Sequence, residues 1–304
     1  MAEKYTEEMK RHFLAMAAFM ADANRHAKVS GRRFAVPADG RDIPVVYYPA
    51  KTKKAPLVLG LHGGGFLFGG NALNDAMWKA VSDTLDVNIA SVGYRKSPEY
   101  RYRESLEDIL ETLRYFRNEV SAFDFDPLRI GAMGCSAGAN LAATFCIYAK
   151  QQNEEPIWKQ IMIYPVVDMY TDPAEKGNGT LAQPLQYLFN DLHSTHEEAR
   201  LPVVSPIFAA EEDLFGLPDA IICTAGMDSL KPETEQYAQM LEKAGVAVSL
   251  MTAESMPHGF FEVGFGEVSD AEIEVLGPEI ASCVKDGSAA CISRQILEQI
   301  RACL

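Results

Sequence analysis

Along the chain, apolar positions change period several times. Over residues 5–26, Met9, Phe13, Met16 and Met20 recur at helical spacing, with Glu7, Lys10 and Arg11 opposite, which predicts an amphipathic helix covering a core. Residues 33–37 and 43–48 then flank Asp39-Gly40, a turn signal that predicts an antiparallel pair. Pro37 and Pro44 in it suit a sheet edge better than a centre. Further on, short, mostly apolar runs take over, at residues 57–61, 87–92, 128–133, 157–164, 219–224 and 246–251. Such runs predict strands buried on both faces. Helical stripes separate them: Leu73, Met77, Trp78 and Val81 within 71–85, Leu106, Ile109, Leu113 and Phe116 within 104–120, the alanine-rich 139–146, and 232–244, stopped by Gly245. Asp126-Pro127 reads as a break before the strand at 128. Strands alternating with helices predict an α/β fold, a mostly parallel sheet with helices on both faces.

The alternation fails once, over residues 169–204, where Gly177-Asn178-Gly179 precedes an apolar cluster at Leu185, Tyr187, Leu188 and Phe189. A long excursion of this kind is expected to lie over the sheet as a lid. Residues 267–304 read as helical, split at Asp286-Gly287-Ser288.

Composition narrows the class. A chain of 304 residues can bury a full core, and with no repeat or linker it is expected to form one domain over 1–304. Apolar residues make up 48%, yet no run is long enough to span a bilayer, and the charged first eight residues lack the apolar core of a signal peptide. Six scattered cysteines without C-x-x-C spacing predict neither zinc nor a disulfide framework, and a reducing cytoplasm is the simplest location. A formal charge of −14 argues against nucleic acid and anionic membranes as partners. A homodimer is left open.

Candidate chemistry centres on Gly134-Cys135-Ser136-Ala137-Gly138, set between an apolar strand and an alanine-rich helix. A serine on so sharp a turn needs small residues two positions away on either side, which Gly134 and Gly138 supply; Cys135 has Met133 and Ala137 there instead. In parallel sheets ligands bind beyond the carboxyl ends of the strands, and His62, Ser136, Asp228 and His258 all lie just past strand ends. Nucleophilic catalysis by serine needs a base, an acid that orients the base, and amides for the oxyanion. Asp168 and Asp219 compete with Asp228 as the acid. Asp219 opens a strand and so sits at the wrong edge, and Asp168 precedes the excursion. Of the six histidines, His12, His26, His62, His193, His196 and His258, only the last follows Asp228. His193 and His196, at i and i+3 near Asp191 and Glu197, fit a solvated face better than a metal site, so no metal or other cofactor is expected. Gly63-Gly64-Gly65 after a strand allows positive φ and close backbone approach to a ligand, where the plainer reading is a flexible loop.

Taken together, His62-Gly63-Gly64-Gly65, Tyr94-Arg95-Lys96-Ser97-Pro98-Glu99, Gly134 to Asn140, Ser205-Pro206, Asp228-Ser229-Leu230 and His258-Gly259-Phe260 resemble the hormone-sensitive-lipase-like (bacterial acetyl esterase) branch of the α/β hydrolases, over about residues 34–261. The order Ser136, Asp228, His258 is the one that fold uses. The resemblance implies an α/β-hydrolase fold and a helical cap from about residues 1–30 and 169–204. It implies oxyanion amides at Gly64, Gly65 and Ala137, and a pocket near His62, Gly63, Phe66, Phe68, Trp78, Tyr94, Tyr187 and Phe189. The function it implies is a serine carboxylesterase acting on small, short-chain acyl esters, acetyl to butyryl. Two other classes stay open: a non-enzymatic small-ligand receptor on the same fold, which His258 speaks against because such receptors lose that histidine, and a serine peptidase, for which the chain is short. The chain departs from the family's usual acid before the nucleophile, having Cys135, and from the usual glycine after the motif, having Ala139. The residues after Asp228, Ser229-Leu230-Lys231-Pro232, are altered as well.

Overall fold

A computed structural model describes residues 4–304; Met1, Ala2 and Glu3, part of the charged start and of the first cap segment, lie outside the described residues. The first helix, α1 (Glu7–His26), begins where the Thr6 hydroxyl accepts from the Met9 amide at 3.1 Å. There follow β1 (Arg32–Ala38), β2 (Arg41–Tyr48), β3 (Ala55–Leu61), α2 (Asp75–Leu85), β4 (Asn88–Val92), α3 (Tyr102–Asn118), β5 (Phe125–Cys135) and α4 (Ala137–Gln151). The remainder runs β6 (Lys159–Ile163), α5 (Gln183–His193), β7 (Asp219–Ala225), α6 (Lys231–Lys243) and β8 (Val248–Ala253), then α7 (Asp270–Leu276), α8 (Pro278–Lys285) and α9 (Ser288–Ala302).

The strands form one eight-stranded sheet in the order β1-β2-β4-β3-β5-β6-β7-β8. Only β1 and β2 run antiparallel to their neighbours; β4, β3 and β5 to β8 pair in parallel. Side chains of the parallel strands are buried alternately in two layers. Leu57, Leu59 and Leu61 join α3, α4 and α6 on one face, while Val58 faces α2 and α9 on the other. Burial on both sides is why these strands read as mostly apolar runs.

Among the departures from the sequence pattern, three have a visible cause. The helix expected from Asn71 starts at Asp75, because Asn71 is held in the preceding turn, its amide donating to the Pro44 carbonyl. Strand β5 begins at Phe125 and continues through Asp126-Pro127, its pairing with β3 shifting register between Ala55 and Leu57. Pro37 lies on the edge strand as expected, but Pro44 lies on β2, which is paired on both sides. The proline is tolerated because β4 pairs with β2 only from Val45 onward.

Over the carboxyl ends of the strands lies a third apolar cluster. Phe13 and Ala17 of α1 meet Leu185, Leu188 and Phe189 of α5, with Leu67 and Phe68 from the glycine loop beneath and Val275 of α7 beside them. The amphipathic first helix and the excursion that breaks the alternation thus pack on each other above the carboxyl ends of the strands.

Candidate active site

Ser136 sits between β5 and α4 with φ 53° and ψ −119°, a conformation sparsely populated for any residue with a Cβ. The turn is held by the Ser136 amide donating to the Ile163 carbonyl at 2.9 Å and by its own carbonyl accepting from Asn140 at 3.0 Å. Gly138 faces the end of β3, where a Cβ would overlap the carbonyl oxygen of Leu61, and one on Gly134 would overlap Gly138. Helix and strands can therefore close on the turn, leaving Ser136 half-buried at the floor of a cavity. Cys135 is fully buried, and burial pushes its thiol well above the ordinary value, which removes it as a nucleophile.

His258, in the loop after β8, spans the gap between acid and serine. Its Nε2 lies 2.8 Å from Ser136 Oγ and its Nδ1 2.5 Å from Asp228 Oδ2. Asp228 follows β7, and its other oxygen accepts from the Leu230 amide at 3.0 Å. The His258 amide donates to Thr180 Oγ1 at 3.1 Å, which ties the loop to the 169–204 excursion. Burial pushes the imidazole down, but the Asp228 carboxylate, and beyond it Glu262, lift it above the usual histidine value overall. The competing acids are used elsewhere. Asp168 accepts from the amides of Tyr170 and Thr171 at 2.9 and 2.8 Å, and Asp219 pairs with Lys159 at 2.9 Å on the far edge of the sheet.

The glycine loop after β3 is ordered by a tight turn. Gly64 and Gly65 take φ 112° and 60°, and the amides of Leu67 and Phe68 donate to the Gly64 carbonyl at 3.1 and 2.8 Å. Lys96 braces it from below, donating to the carbonyls of Phe68 and Gly69, and burial lowers its ammonium to about 8. Gly64, Gly65 and Ala137 all border the Ser136 cavity. As the first residue of α4, Ala137 has an amide with no intrahelical acceptor.

The cavity is lined by Phe66, Val166, Leu181, Phe189 and Leu230 among others. Phe66 is therefore at the site as expected, and Phe189 lies against Gly65, within 2.5 Å of where a Cβ would stand. Other expected pocket residues are not. Trp78 is fully buried in the α2 layer, against Gly60 of β3, and does not line the cavity. His62 and Tyr94 form a buried stack below the loop, 4.4 Å between ring centroids, with the Tyr94 hydroxyl donating to the His62 carbonyl at 2.7 Å. Both shape the loop from behind. Gly63 and Phe68 line a neighbouring cavity, and Tyr187 turns outward to bond Asp172. His193 and His196 diverge, His193 stacking on Phe66 and His196 on Tyr170.

Three charged residues at the site escape sequence reasoning. Lys176 lines the cavity and pairs with Glu233 at 2.7 Å, and Glu233 in turn accepts from the amides of Val167 and Asp168. Glu262 reaches the glycine loop, where Gly63 donates to it at 3.2 Å. Its one signal in the sequence is a lone acid within Phe260-Phe261-Glu262-Val263, an otherwise apolar turn after the histidine.

A family profile described as alpha/beta hydrolase fold matches residues 58–262. Carboxylic ester hydrolase LipN of Mycobacterium tuberculosis is 29% identical over 276 residues, covering 86% of this chain and 72% of LipN. Carboxylesterase NlhH of the same species is 30% identical over 252 residues, 79% of this chain and 77% of its own. Among solved structures, EstE1, a thermophilic carboxylesterase cloned from a metagenomic library, superposes with a TM-score of 0.73 at 32% identity, covering 92% of this chain and 97% of EstE1.

Proposed function

The chain belongs to the α/β-hydrolase family, in its hormone-sensitive-lipase-like branch of carboxylic ester hydrolases, and on that premise we propose that it hydrolyses short-chain acyl esters through an acyl-enzyme on Ser136. The observation that carries this reading is His258, within hydrogen-bonding distance of both Ser136 Oγ and Asp228 Oδ2. His258 takes the serine proton at Nε2 as Oγ attacks the ester carbonyl. Asp228 keeps the other proton on Nδ1 and stabilises the imidazolium that forms. The developing oxyanion is received by the amides of Gly64, Gly65 and Ala137. The alkoxide leaves with the proton from His258; water, deprotonated by the same nitrogen, then releases the acid and restores Ser136.

Helices α1 and α5 act as a cap above this chemistry, with Phe66 and Phe189 limiting the acyl side. Large rings lining the cavity leave room for small acyl groups, and overpacking outweighs the roughly 0.8 kcal/mol a further methylene would otherwise contribute. Acetyl to butyryl esters are the preferred class, and emulsified triglycerides are not substrates. A reducing, cytoplasmic setting agrees with six unpaired thiols, and among the described residues no helix is long and apolar enough to cross a membrane.

A fluorophosphonate tests the reading. One adduct is expected, on the peptide that holds Ser136, together with loss of p-nitrophenyl acetate hydrolysis in Ser136→Ala. An adduct on Cys135, or full activity in Ser136→Ala, overturns it.

A further inference from the structure

Two loops from different strands must stay in register for the reaction at Ser136, the glycine loop after β3 and the loop after β8 that carries His258. A single side chain joins them. Glu262 lies in the one-turn helix Phe260–Val263 that follows His258, and its Oε1 accepts from the Gly63 amide at 3.2 Å and from Asn74 Nδ2 at 2.9 Å. Any side chain at position 63 would block the approach, since a Cβ there would stand 2.6 Å from Oε2. The half-buried carboxylate forms wall for two cavities, the one above Ser136 and a second bounded by Met20, Phe68, Leu73 and Leu276.

We propose that Glu262 is a positioning residue for the reaction at Ser136, tying the glycine loop to the turn that carries His258. The inference rests on the reading of Ser136 and His258 given above. A third tie completes the link: the Glu262 amide donates to Tyr164 Oη at 3.3 Å, and Tyr164 contacts Cys135, the residue before the nucleophile. The position where the family usually has an acid holds a buried thiol here, and that thiol feels the charge of Glu262 from the histidine's own turn.

The charge on Glu262 bears on His258 as well. Burial pushes this carboxyl up to about 7; His258 opposes that, and Glu272 of α7 adds to it. Tyr94, Tyr164 and Cys135, which also feel Glu262, are pushed well up by burial and stay neutral near pH 7. An anionic Glu262 favours the imidazolium and so raises the pH at which His258 becomes a free base. Removing that charge while keeping the acceptor extends the base form to lower pH.

The test compares Glu262→Gln and Glu262→Ala with the wild type on p-nitrophenyl acetate, following kcat and KM by pH-stat from pH 5 to 9, with thermal melts to confirm folding. Glu262→Gln keeps an oxygen for Gly63 and Asn74, so its kcat is expected within about threefold of wild type. Glu262→Ala loses the tie and is expected to lower kcat about 10- to 100-fold with KM within about twofold. A Glu262→Ala kcat within about twofold of wild type overturns the proposal, and so does a Glu262→Gln enzyme as impaired as Glu262→Ala. Ser136→Ala, run in parallel, separates the two readings, because activity surviving there refutes the nucleophile and leaves Glu262 out of the question.

Discussion

Asp228→Asn is the most demanding test of how the base is oriented. In the folded protein Asp228 has two separate duties. Oδ1 accepts from the Leu230 amide at 3.0 Å, and Oδ2 stands 2.5 Å from His258 Nδ1. An asparagine keeps its carbonyl oxygen on the Leu230 amide, since the alternative aims two N–H groups at each other. The amide nitrogen then faces Nδ1 as a donor, so Nδ1 must accept and the imidazole proton moves to Nε2. Protonated Nε2 cannot take the proton of Ser136 Oγ. The side chains of His258 and Asp228 are only 2% and 1% exposed, so water is not at hand to rescue the other tautomer. The expected loss is about 10⁴ in kcat, equivalent to about 5.4 kcal/mol, with KM and folding close to wild type. Steady-state hydrolysis of p-nitrophenyl acetate, with a thermal melt on the same sample, measures both. Asp168→Asn, which disturbs only a turn, is expected to stay within about tenfold in kcat. If Asp168→Asn loses four orders of magnitude and Asp228→Asn does not, the assignment of the acid is wrong.

On p-nitrophenyl esters of rising acyl length, kcat/KM is expected to peak between acetyl and butyryl and to fall steeply beyond about octanoyl; Phe189→Ala, which removes the ring over Gly65, shifts the maximum to longer chains, and a wild-type maximum at decanoyl or beyond refutes the pocket argument. Gly138→Ala drives a methyl into the backbone at the end of β3 and is expected to cost about 3 kcal/mol or more, read as a fall in Tm of about 6 °C or more; an unchanged Tm would mean that the elbow is far less tightly packed than its geometry requires.

The sheet and its helices were legible because burial on both faces leaves strong local marks. A strand such as β3, all seven residues of which are buried, has nowhere to place a polar side chain, and its solid apolar run announces it. Boundaries were less legible, since they depend on single long-range contacts. Asn71 carries no mark showing that its side chain will hold a turn against Pro44, and Pro127 looks like a break until β3 shifts register to accept it. Trp78 shows a further limit: helical periodicity identified the buried side of α2 correctly, but not which face of the sheet that side would meet.

The site divides along the same line. Ser136, Gly64, Gly134 and Gly138 were readable because their demands are those of the backbone: positive φ, or contact too close for a Cβ. Only glycine meets such a demand cheaply, so the residue type itself carries the information. Glu262, Lys176 and Lys96 answer to no local rule. Each is a long side chain reaching out of one segment to backbone or charge in another, Glu262 to Gly63, Lys176 to Glu233 and Lys96 to the carbonyls of Phe68 and Gly69. Glu262 and Lys96 brace the glycine loop. A turn with Ser136 at φ 53° costs energy wherever it forms, and here it is held by the backbone bonds to Ile163 and Asn140. The glycines make the reactive geometry accessible, and the long-range charged side chains steady the loop beside it. A substitution among the glycines is therefore expected to act first on folding, and one among the bracing side chains first on kcat.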